Sequence, residues 1–184
     1  MHSGLKFDYV EPKPDMIALS DIARGLARLP RYLAQTNMLM TVAEHCMYVA
    51  DNVPEEVRLE ALLHDAAEAY TGDIPSPLKH LIKDSIKPIE QRIERAIADR
   101  FKLQYPWPKA VKDMDGHALF REAAYFVRPS CIENWNEAFR VPGIRSDDRH
   151  LVRKQMGQNP NAAKLTEQFT TMCVGLMLKR GVRP

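Results

Sequence analysis

The sequence predicts an all-α protein that folds as one domain. Apolar residues recur at helical spacing in several stretches, most clearly over 84–101, where four isoleucines share one side. No alternating run of apolar and polar residues and no β-hairpin signal occurs. A chain of 184 residues is long enough for one domain with a core and too short for two comfortable ones.

The composition indicates which kinds of binding partner and which cellular compartment to expect. Hydrophobic residues make up 45% of the chain and charged residues 27%, which is ordinary for a globular protein. A net charge of +2 gives no reason to expect a nucleic-acid polymer as partner. Three scattered cysteines favour a reducing compartment, and no leader or membrane-spanning run precedes the first helix. We therefore expect a cytoplasmic protein without membrane contact.

The first forty residues predict one short helix between irregular segments. Residues 1–19 mix prolines, acids and aromatics, which indicates an arm laid over the surface. Ser20 is of the type that caps helices and predicts a helix from Asp21 to about Leu29. The stretch 29–37 is expected to form a loop that carries Arg31.

A capping box predicts where the second helix begins. Thr41 and Glu44 stand three residues apart, so each side chain can bond to the other residue's backbone N–H. The helix that they open contains His45 and is expected to run to about Asn52.

Prolines and a glycine delimit the following helices. Pro54 suits the first position of a third helix, which is expected to run without interruption to Gly72. A proline-rich turn over 74–80 leads to the amphipathic helix 84–101, and two prolines precede a further helix over 109–127.

The C-terminal third is less regular. Residues 128–143 show weak periodicity, and 145–155 could form a short polar helix. A last helix is expected from Asn159 and Pro160 to about Lys179.

The third predicted helix contains the first residues that indicate a functional site. His64, Asp65 and Glu68 occupy a span of five residues inside an apolar segment. Burying such ionisable groups without compensation costs several kcal/mol each. A divalent metal ion would compensate them. On a continuous helix His64 and Glu68 share a face, and Asp65 reaches the same ion from the side.

His45 and Asp115 complete a plausible ligand set with His64 and Asp65. Two neutral imidazoles and two carboxylates cancel the charge of a divalent ion and suit Mn, Fe(II), Co, Zn or Mg. Such an ion lowers the pKa of a bound water from about 15.7 toward about 7, which provides a nucleophile at neutral pH.

This pattern resembles the HD-domain phosphohydrolases, whose signature is H…HD…D on the helices of an all-α bundle. The strings TVAEH (41–45), ALLHDAAEAYTGDIPSPLK (61–79) and VKDMD (111–115) are similar to its compact branch. That branch includes bacterial 5′-deoxynucleotidases and phage dATP triphosphohydrolases. The resemblance covers about 18–128, and it implies a single HD domain over 1–184 with a core at 18–128 and a helical extension at 129–184.

The resemblance also implies roles for individual residues. It makes His45, His64, Asp65 and Asp115 the metal ligands, and Glu68 the general acid or base beside the reacting phosphate. The ion is expected to be Zn, Co, Mn, Fe or Mg.

Four further residues are implied as substrate contacts. Arg31, Lys79 and Lys112 become the cations that hold phosphate groups. Tyr32 stands where the family places a Trp or Phe near the base.

Two enzymatic functions and one non-enzymatic function follow. Three cations are more than a monophosphate needs, which favours a triphosphohydrolase that prefers dATP and releases deoxynucleoside and tripolyphosphate. The alternative is a 5′-deoxynucleotidase acting on deoxynucleoside monophosphates, and a third is a non-catalytic nucleotide-binding module. A hydrolase of cyclic dinucleotides or (p)ppGpp is a further possibility, less well matched by the 61–79 string. The relatives imply a homo-oligomer, either dimer or hexamer, and a phage-encoded protein would act in the host cytoplasm.

Overall fold

A computed structural model describes residues 1–126 and 161–183, and these residues form the all-α structure that the sequence predicts. The only β-type contact among them is an isolated bridge between Pro30 and Thr41. The α-helices of the described residues are α1 (Leu19–Leu26), α2 (Val42–Asp51), α3 (Arg58–Leu63), α4 (Glu68–Thr71), α5 (Ser76–Leu81), α6 (Lys83–Phe101), α7 (Lys109–Phe126) and α8 (Ala162–Lys179).

Helix α1 begins earlier than the sequence predicts. Ala18 is its N-cap, because the Ala18 carbonyl accepts hydrogen bonds from the N–H groups of Asp21 and Ile22. The prediction that Ser20 caps this helix is therefore wrong, and Ser20 lies inside its first turn. The Asp21 carboxylate accepts hydrogen bonds from the backbone and hydroxyl of Ser3, which tie the N-terminal arm to the helix.

Helix α2 confirms the predicted capping box. The Thr41 hydroxyl accepts from the Glu44 N–H at 3.3 Å, and the Glu44 carboxylate accepts from the Thr41 N–H at 2.9 Å. The box fixes the start of the helix that carries His45, four residues further on.

The long helix predicted between Pro54 and Gly72 is interrupted. After α3, the N–H groups of Ala66 and Glu68 donate to carbonyls only three residues back, so the chain winds more tightly than an α-helix. The cause is the His64 ring, whose Nδ1 lies 2.7 Å from the Ala61 carbonyl. In a continuous helix that carbonyl would accept from the Asp65 N–H. The expectation of one unbroken helix is wrong.

Close packing of α1 on α4 positions the end of this segment. A Cβ built on Gly25 would lie 3.0 Å from the Ala69 Cβ and 3.2 Å from the Ala69 Cα. Only glycine lets the two backbones approach so closely, and Ala69 directly follows Glu68. The chain then leaves α4 at Gly72, whose φ of +83° suits glycine.

The later helices follow the prediction more closely. Helix α6 buries Ile93 and Ile97, and α7 spans nearly the expected range before Val127. Helix α8 begins with Asn161 as N-cap and buries Phe169, Cys173 and Met177 against α1, α2 and α3. The proposed polar helix over 145–155 lies outside the described residues.

No helix within the described ranges combines the length and apolar character needed to cross a membrane.

Candidate metal centre

Four side chains predicted as metal ligands meet in one place. His45 comes from α2, His64 and Asp65 from the tight turn after α3, and Asp115 from α7. His45 Nε2 lies 3.3 Å from His64 Nε2, 3.4 Å from an Asp65 oxygen and 3.1 Å from an Asp115 oxygen. His64 Nε2 lies 3.3 Å from the same Asp65 oxygen and 3.7 Å from the same Asp115 oxygen.

These separations fit ligation of one ion. Ligand atoms held at about 2.0–2.2 Å from a common metal lie roughly 2.9–3.6 Å apart. The observed distances of 3.1–3.7 Å, each measured from an imidazole nitrogen, are close to that range, and the ligand atoms of His45, His64 and Asp115 all lie within 4.8 Å of one another. Asp65 reaches the site from a turn that is not α-helical, so the helical spacing used to predict its position does not apply.

The hydrogen bonds of both imidazoles leave the correct nitrogen available. His45 Nδ1 lies 2.6 Å from a Glu122 oxygen, and His64 Nδ1 lies 2.7 Å from the Ala61 carbonyl. Because each Nδ1 faces an acceptor, each neutral ring carries its proton there and presents the Nε2 lone pair to the shared point. The residues present therefore fit a divalent cation.

The electrostatic environment also favours a cation at this point. Although burial lowers the pKa of His64, Asp65 and Asp115 raise it well above its ordinary value. The same balance of burial against carboxylates raises the pKa of His45. The carboxylates thus outnumber the nearby cations, and positive charge is stabilised there.

Cys46 belongs to a second cluster of possible ligands with His64 and Asp65. The thiol is fully buried, and that burial raises its pKa to about 11. Only the thiolate binds a metal ion, so ligation by Cys46 would require the ion to displace a proton that burial helps to retain. The set with His45 and Asp115 is therefore the better candidate.

Glu68 has the environment expected of a proton carrier. Its Oε2 is buried and has no hydrogen-bond partner within the described part of the chain. Burial, together with the charges of Asp65 and Asp73, raises the pKa of Glu68 well above its ordinary value. A buried carboxyl without a partner is costly and is typical of functional sites.

Arg31 and Tyr32 lie beside the ligands on a strained turn. Arg31 is buried, with its Nε 2.9 Å from Glu122 and its Nη1 3.7 Å from Asp65. The Tyr32 hydroxyl lies 3.2 Å from Glu122 and 3.2 Å from the Leu119 carbonyl. Both predicted substrate residues thus contact carboxylate or backbone oxygens of the protein itself.

The two predicted lysines differ in position. Lys79 Nζ forms an ion pair with Glu90 at 2.8 Å, and Glu68 and Asp65 are near enough to help raise its pKa against the effect of burial. Lys112 is exposed on α7, three residues before Asp115. The charges of Asp65 and Glu68 thus act on Lys79, which places this lysine near the candidate site.

Sequence reasoning missed two acidic residues of this region. Glu122 is fully buried and joins His45 to Arg31, and Asp73 is near enough to affect Glu68. A signal for Glu122 was present, because it follows Asp115 by seven residues and so shares its face of α7.

Comparison with protein families adds to this geometry. Residues 32–116 match a family described as 5′-deoxynucleotidase YfbR-like. The match covers a little under half of the chain and contains the four candidate ligands and Glu68, whereas Arg31 and Glu122 lie outside it. It favours a hydrolase of phosphoric esters and is closer to the deoxynucleotidase alternative than to the triphosphohydrolase.

Two bacterial proteins are similar in sequence to about three fifths of this chain. The chain is 37% identical over 113 residues to the uncharacterized protein YfdR of Escherichia coli, covering 61% of this chain and 63% of that protein. It is 36% identical over 121 residues to an uncharacterized protein of Rhodobacter capsulatus, covering 61% and 62%. The chain thus spans somewhat less than two thirds of each relative.

Proposed function

We propose that this protein is a metal-dependent 5′-deoxynucleotidase that hydrolyses deoxynucleoside monophosphates to deoxynucleoside and orthophosphate. The observation that carries the proposal is the match of residues 32–116 to the deoxynucleotidase family, because that segment contains all the proposed ligands. The convergence of His45, His64, Asp65 and Asp115 supports the metal dependence.

The described cations support the monophosphate over dATP. The sequence argument for a triphosphate counted three cations, yet the carboxylates of Glu122 and Glu90 partly neutralise Arg31 and Lys79. Less positive charge is then left for a phosphate chain. Hydrolysis of dATP to tripolyphosphate remains the second candidate, because the same α-phosphorus is attacked in both reactions.

In the proposed reaction the protein supplies the ligands, the proton carrier and the positioning groups. A bound divalent ion supplies Lewis acidity and lowers the pKa of water. Glu68 accepts a proton from the attacking water as the new P–O bond forms, and delivers it to O5′ as the P–O5′ bond breaks. Its raised pKa suits the second task, since the carboxyl can hold the proton between the two steps.

Arg31 and Lys79 are proposed to stabilise the phosphate. Both side chains are close enough to Glu68 for their charges to act on it. Lys79 is half-buried at the edge of α5, where exchange of Glu90 for a phosphate oxygen would move it little. Tyr32 and Lys112 are retained as proposed substrate contacts.

A nucleotide panel with product identification tests the proposal. Purified protein loaded with Mn²⁺ or Co²⁺ is incubated with dNMPs, rNMPs and dNTPs, and phosphorus NMR identifies the products. We expect orthophosphate from dNMPs and little from rNMPs. Release of tripolyphosphate from dATP, with dAMP untouched, would instead establish the second candidate.

His64→Ala and Glu68→Ala separate an enzyme from a nucleotide-binding module. We expect both variants to reduce turnover to background. Equal residual turnover in the wild type and both variants would show that the hydrolysis came from a contaminant and would favour a non-catalytic role.

We also propose a single HD-type domain that assembles into a dimer or hexamer and acts in the cytoplasm. Light scattering at several concentrations measures the assembly, and an exclusively monomeric protein would contradict it.

A further inference from the structure

Glu122 is the one described residue whose side chain contacts both a candidate metal ligand and two proposed substrate residues. Its Oε1 lies 2.6 Å from His45 Nδ1. Its Oε2 lies 2.9 Å from Arg31 Nε and 3.2 Å from the Tyr32 hydroxyl. The carboxylate is fully buried, so the hydrogen bonds with His45 and Tyr32 and the charge of Arg31 replace the water that it has lost.

The contact with His45 fixes a protonation pattern in the ring. A carboxylate has no proton to donate, so it must accept one from Nδ1. The ring then turns its unprotonated Nε2 toward His64, Asp65 and Asp115. Partners of this kind hold a ligand in the correct tautomer, and their loss typically lowers metal affinity about 10–100-fold.

The contacts with Arg31 and Tyr32 hold a strained segment. Tyr32, Leu33 and Ala34 have φ angles of 55°, 55° and 58°, in the left-handed region that non-glycine residues rarely occupy. Such a conformation costs about 1–2 kcal/mol per residue and persists where its surroundings enforce it. Glu122 is placed to enforce it, since it forms an ion pair with Arg31, just before the segment, and accepts a hydrogen bond from the hydroxyl of Tyr32, its first residue.

We propose that Glu122 is a positioning residue that couples the metal ligand His45 to the substrate-binding turn at Arg31 and Tyr32. One oxygen orients the ligand, and the other holds the turn. Loss of an acceptor oxygen from Glu122 weakens the metal site or the substrate site, according to which contact is lost. Only the part of this inference that concerns substrate binding by Arg31 and Tyr32 rests on the proposed function.

Glu122→Gln is the informative substitution because it keeps the shape and removes one acceptor. If the amide oxygen faces His45, the NH₂ group meets the donors of Arg31 and Tyr32. If the amide is reversed, the NH₂ group faces His45 Nδ1 and favours the tautomer with a proton on Nε2. Either orientation therefore removes one contact of Glu122, that with His45 or that with Arg31 and Tyr32.

Glu60→Gln is the matched control. Glu60 is also a buried glutamate paired with an arginine, but its partner is Arg180 on the far end of α8. Both variants are titrated with Co²⁺, whose visible spectrum reports ligand number and geometry, and are assayed for the KM of a dNMP. Unfolding midpoints confirm that each protein is folded.

We expect Glu122→Gln to lower Co²⁺ affinity about 10–100-fold or to raise KM about tenfold or more, with both changed if the amide exchanges between orientations. Glu60→Gln is expected to change neither. Adding Arg31→Met to Glu122→Gln should raise KM little further, because Arg31 has already lost its support. Glu122→Asp, which keeps the charge on a shorter stem, should lose less Co²⁺ affinity than Glu122→Gln.

A folded Glu122→Gln with wild-type Co²⁺ affinity, spectrum and KM would overturn the proposal. Should that variant fail to fold, wild-type values in Glu122→Asp would overturn it equally. Co²⁺ binding involves no nucleotide, so a wild type that binds Co²⁺ and hydrolyses no dNMP would reject the proposed function alone. The metal arm of the Glu122 proposal would still be decided by the titration.

Discussion

The Nε2 atoms of His45 and His64 lie 3.3 Å apart in the interior of the protein, and each also lies within 3.7 Å of one oxygen of Asp65 and one of Asp115. Each Nδ1 already faces an oxygen, so both Nε2 lone pairs point at the same place. Two lone pairs directed at each other repel, and either a proton on one nitrogen or a metal ion between them removes that repulsion. Two aspartate oxygens close to the same point indicate a divalent ion.

Glu68→Gln is expected to separate catalysis from metal binding. The amide keeps the size of the side chain but cannot carry the transferred proton, so kcat should fall about 10²–10⁴-fold. Co²⁺ affinity should stay within a few-fold of the wild type, because Glu68 is not among the proposed ligands. Steady-state kinetics and a Co²⁺ titration check the two expectations. A large loss of Co²⁺ affinity would make Glu68 a ligand instead.

Cys46→Ser tests which of the two ligand clusters holds the ion. The buried thiol has a pKa raised to about 11 by desolvation, so we expect it to stay protonated and uncoordinated. The variant should bind Co²⁺ like the wild type, and the wild-type complex should lack an intense thiolate charge-transfer band near the ultraviolet. The presence of that band, and its loss in Cys46→Ser, would place Cys46 on the metal.

The Glu60–Arg180 pair predicts a pH-dependent contribution to stability. Burial raises the pKa of Glu60, but hydrogen bonds from Arg180 and the Gln104 N–H lower it by more, so the net pKa is below its ordinary value. The resulting stabilisation is present above the unfolded-state pKa of about 4.3 and is lost as pH falls through the lower folded-state value.

Urea unfolding of Glu60→Gln at several pH values measures this contribution. We expect a loss of about 1–3 kcal/mol at pH 7, because Arg180 is partly exposed and the carboxylate is not. The difference from the wild type should shrink as pH falls below about 4. A difference that stays constant with pH would show that the loss is one of packing.

Two glycine substitutions should have opposite effects on stability. In Gly25→Ala the new Cβ lies 3.2 Å from the Ala69 backbone, so α1 and α4 must separate, and we expect a loss of about 1–3 kcal/mol. Gly175→Ala, in the middle of α8, meets nothing within 4 Å and should gain about 0.5–1 kcal/mol from helix propensity. Thermal unfolding of both variants checks the contrast. Equal effects would contradict the close approach of α1 and α4.

Local signals in the sequence predicted those helices whose bounds depend on neighbouring residues only. The Thr41–Glu44 capping box fixed the start of α2, and isoleucine periodicity identified α6. The prediction from Ser20 was wrong because α1 begins two residues earlier, with the Ala18 carbonyl accepting its first hydrogen bonds and no side-chain cap. The break after Leu63 depends on a bond between the His64 ring and the Ala61 carbonyl, which propensity does not reveal.

The candidate site shows the same division. The spacing of His45, His64, Asp65 and Asp115, with the family resemblance, was enough to propose the ligand set that the structure brings together. The partners that orient those ligands could not be found in that way. Glu122 contacts His45 and Arg31, which precede it in the chain by 77 and 91 residues. Contacts between such distant positions exist only after folding.

Metal content measured against ligand substitution tests the central claim most directly. Protein purified without chelator, together with His64→Ala and Asp115→Asn, is analysed for bound metal by mass spectrometry and titrated with Co²⁺ after chelator treatment. We predict one high-affinity divalent ion per chain in the wild type and at least about 100-fold weaker binding in both variants, since losing a ligand costs more than losing an outer partner. Metal-free protein that hydrolyses deoxynucleotides at the full rate, or wild-type affinity in both variants, would contradict the account.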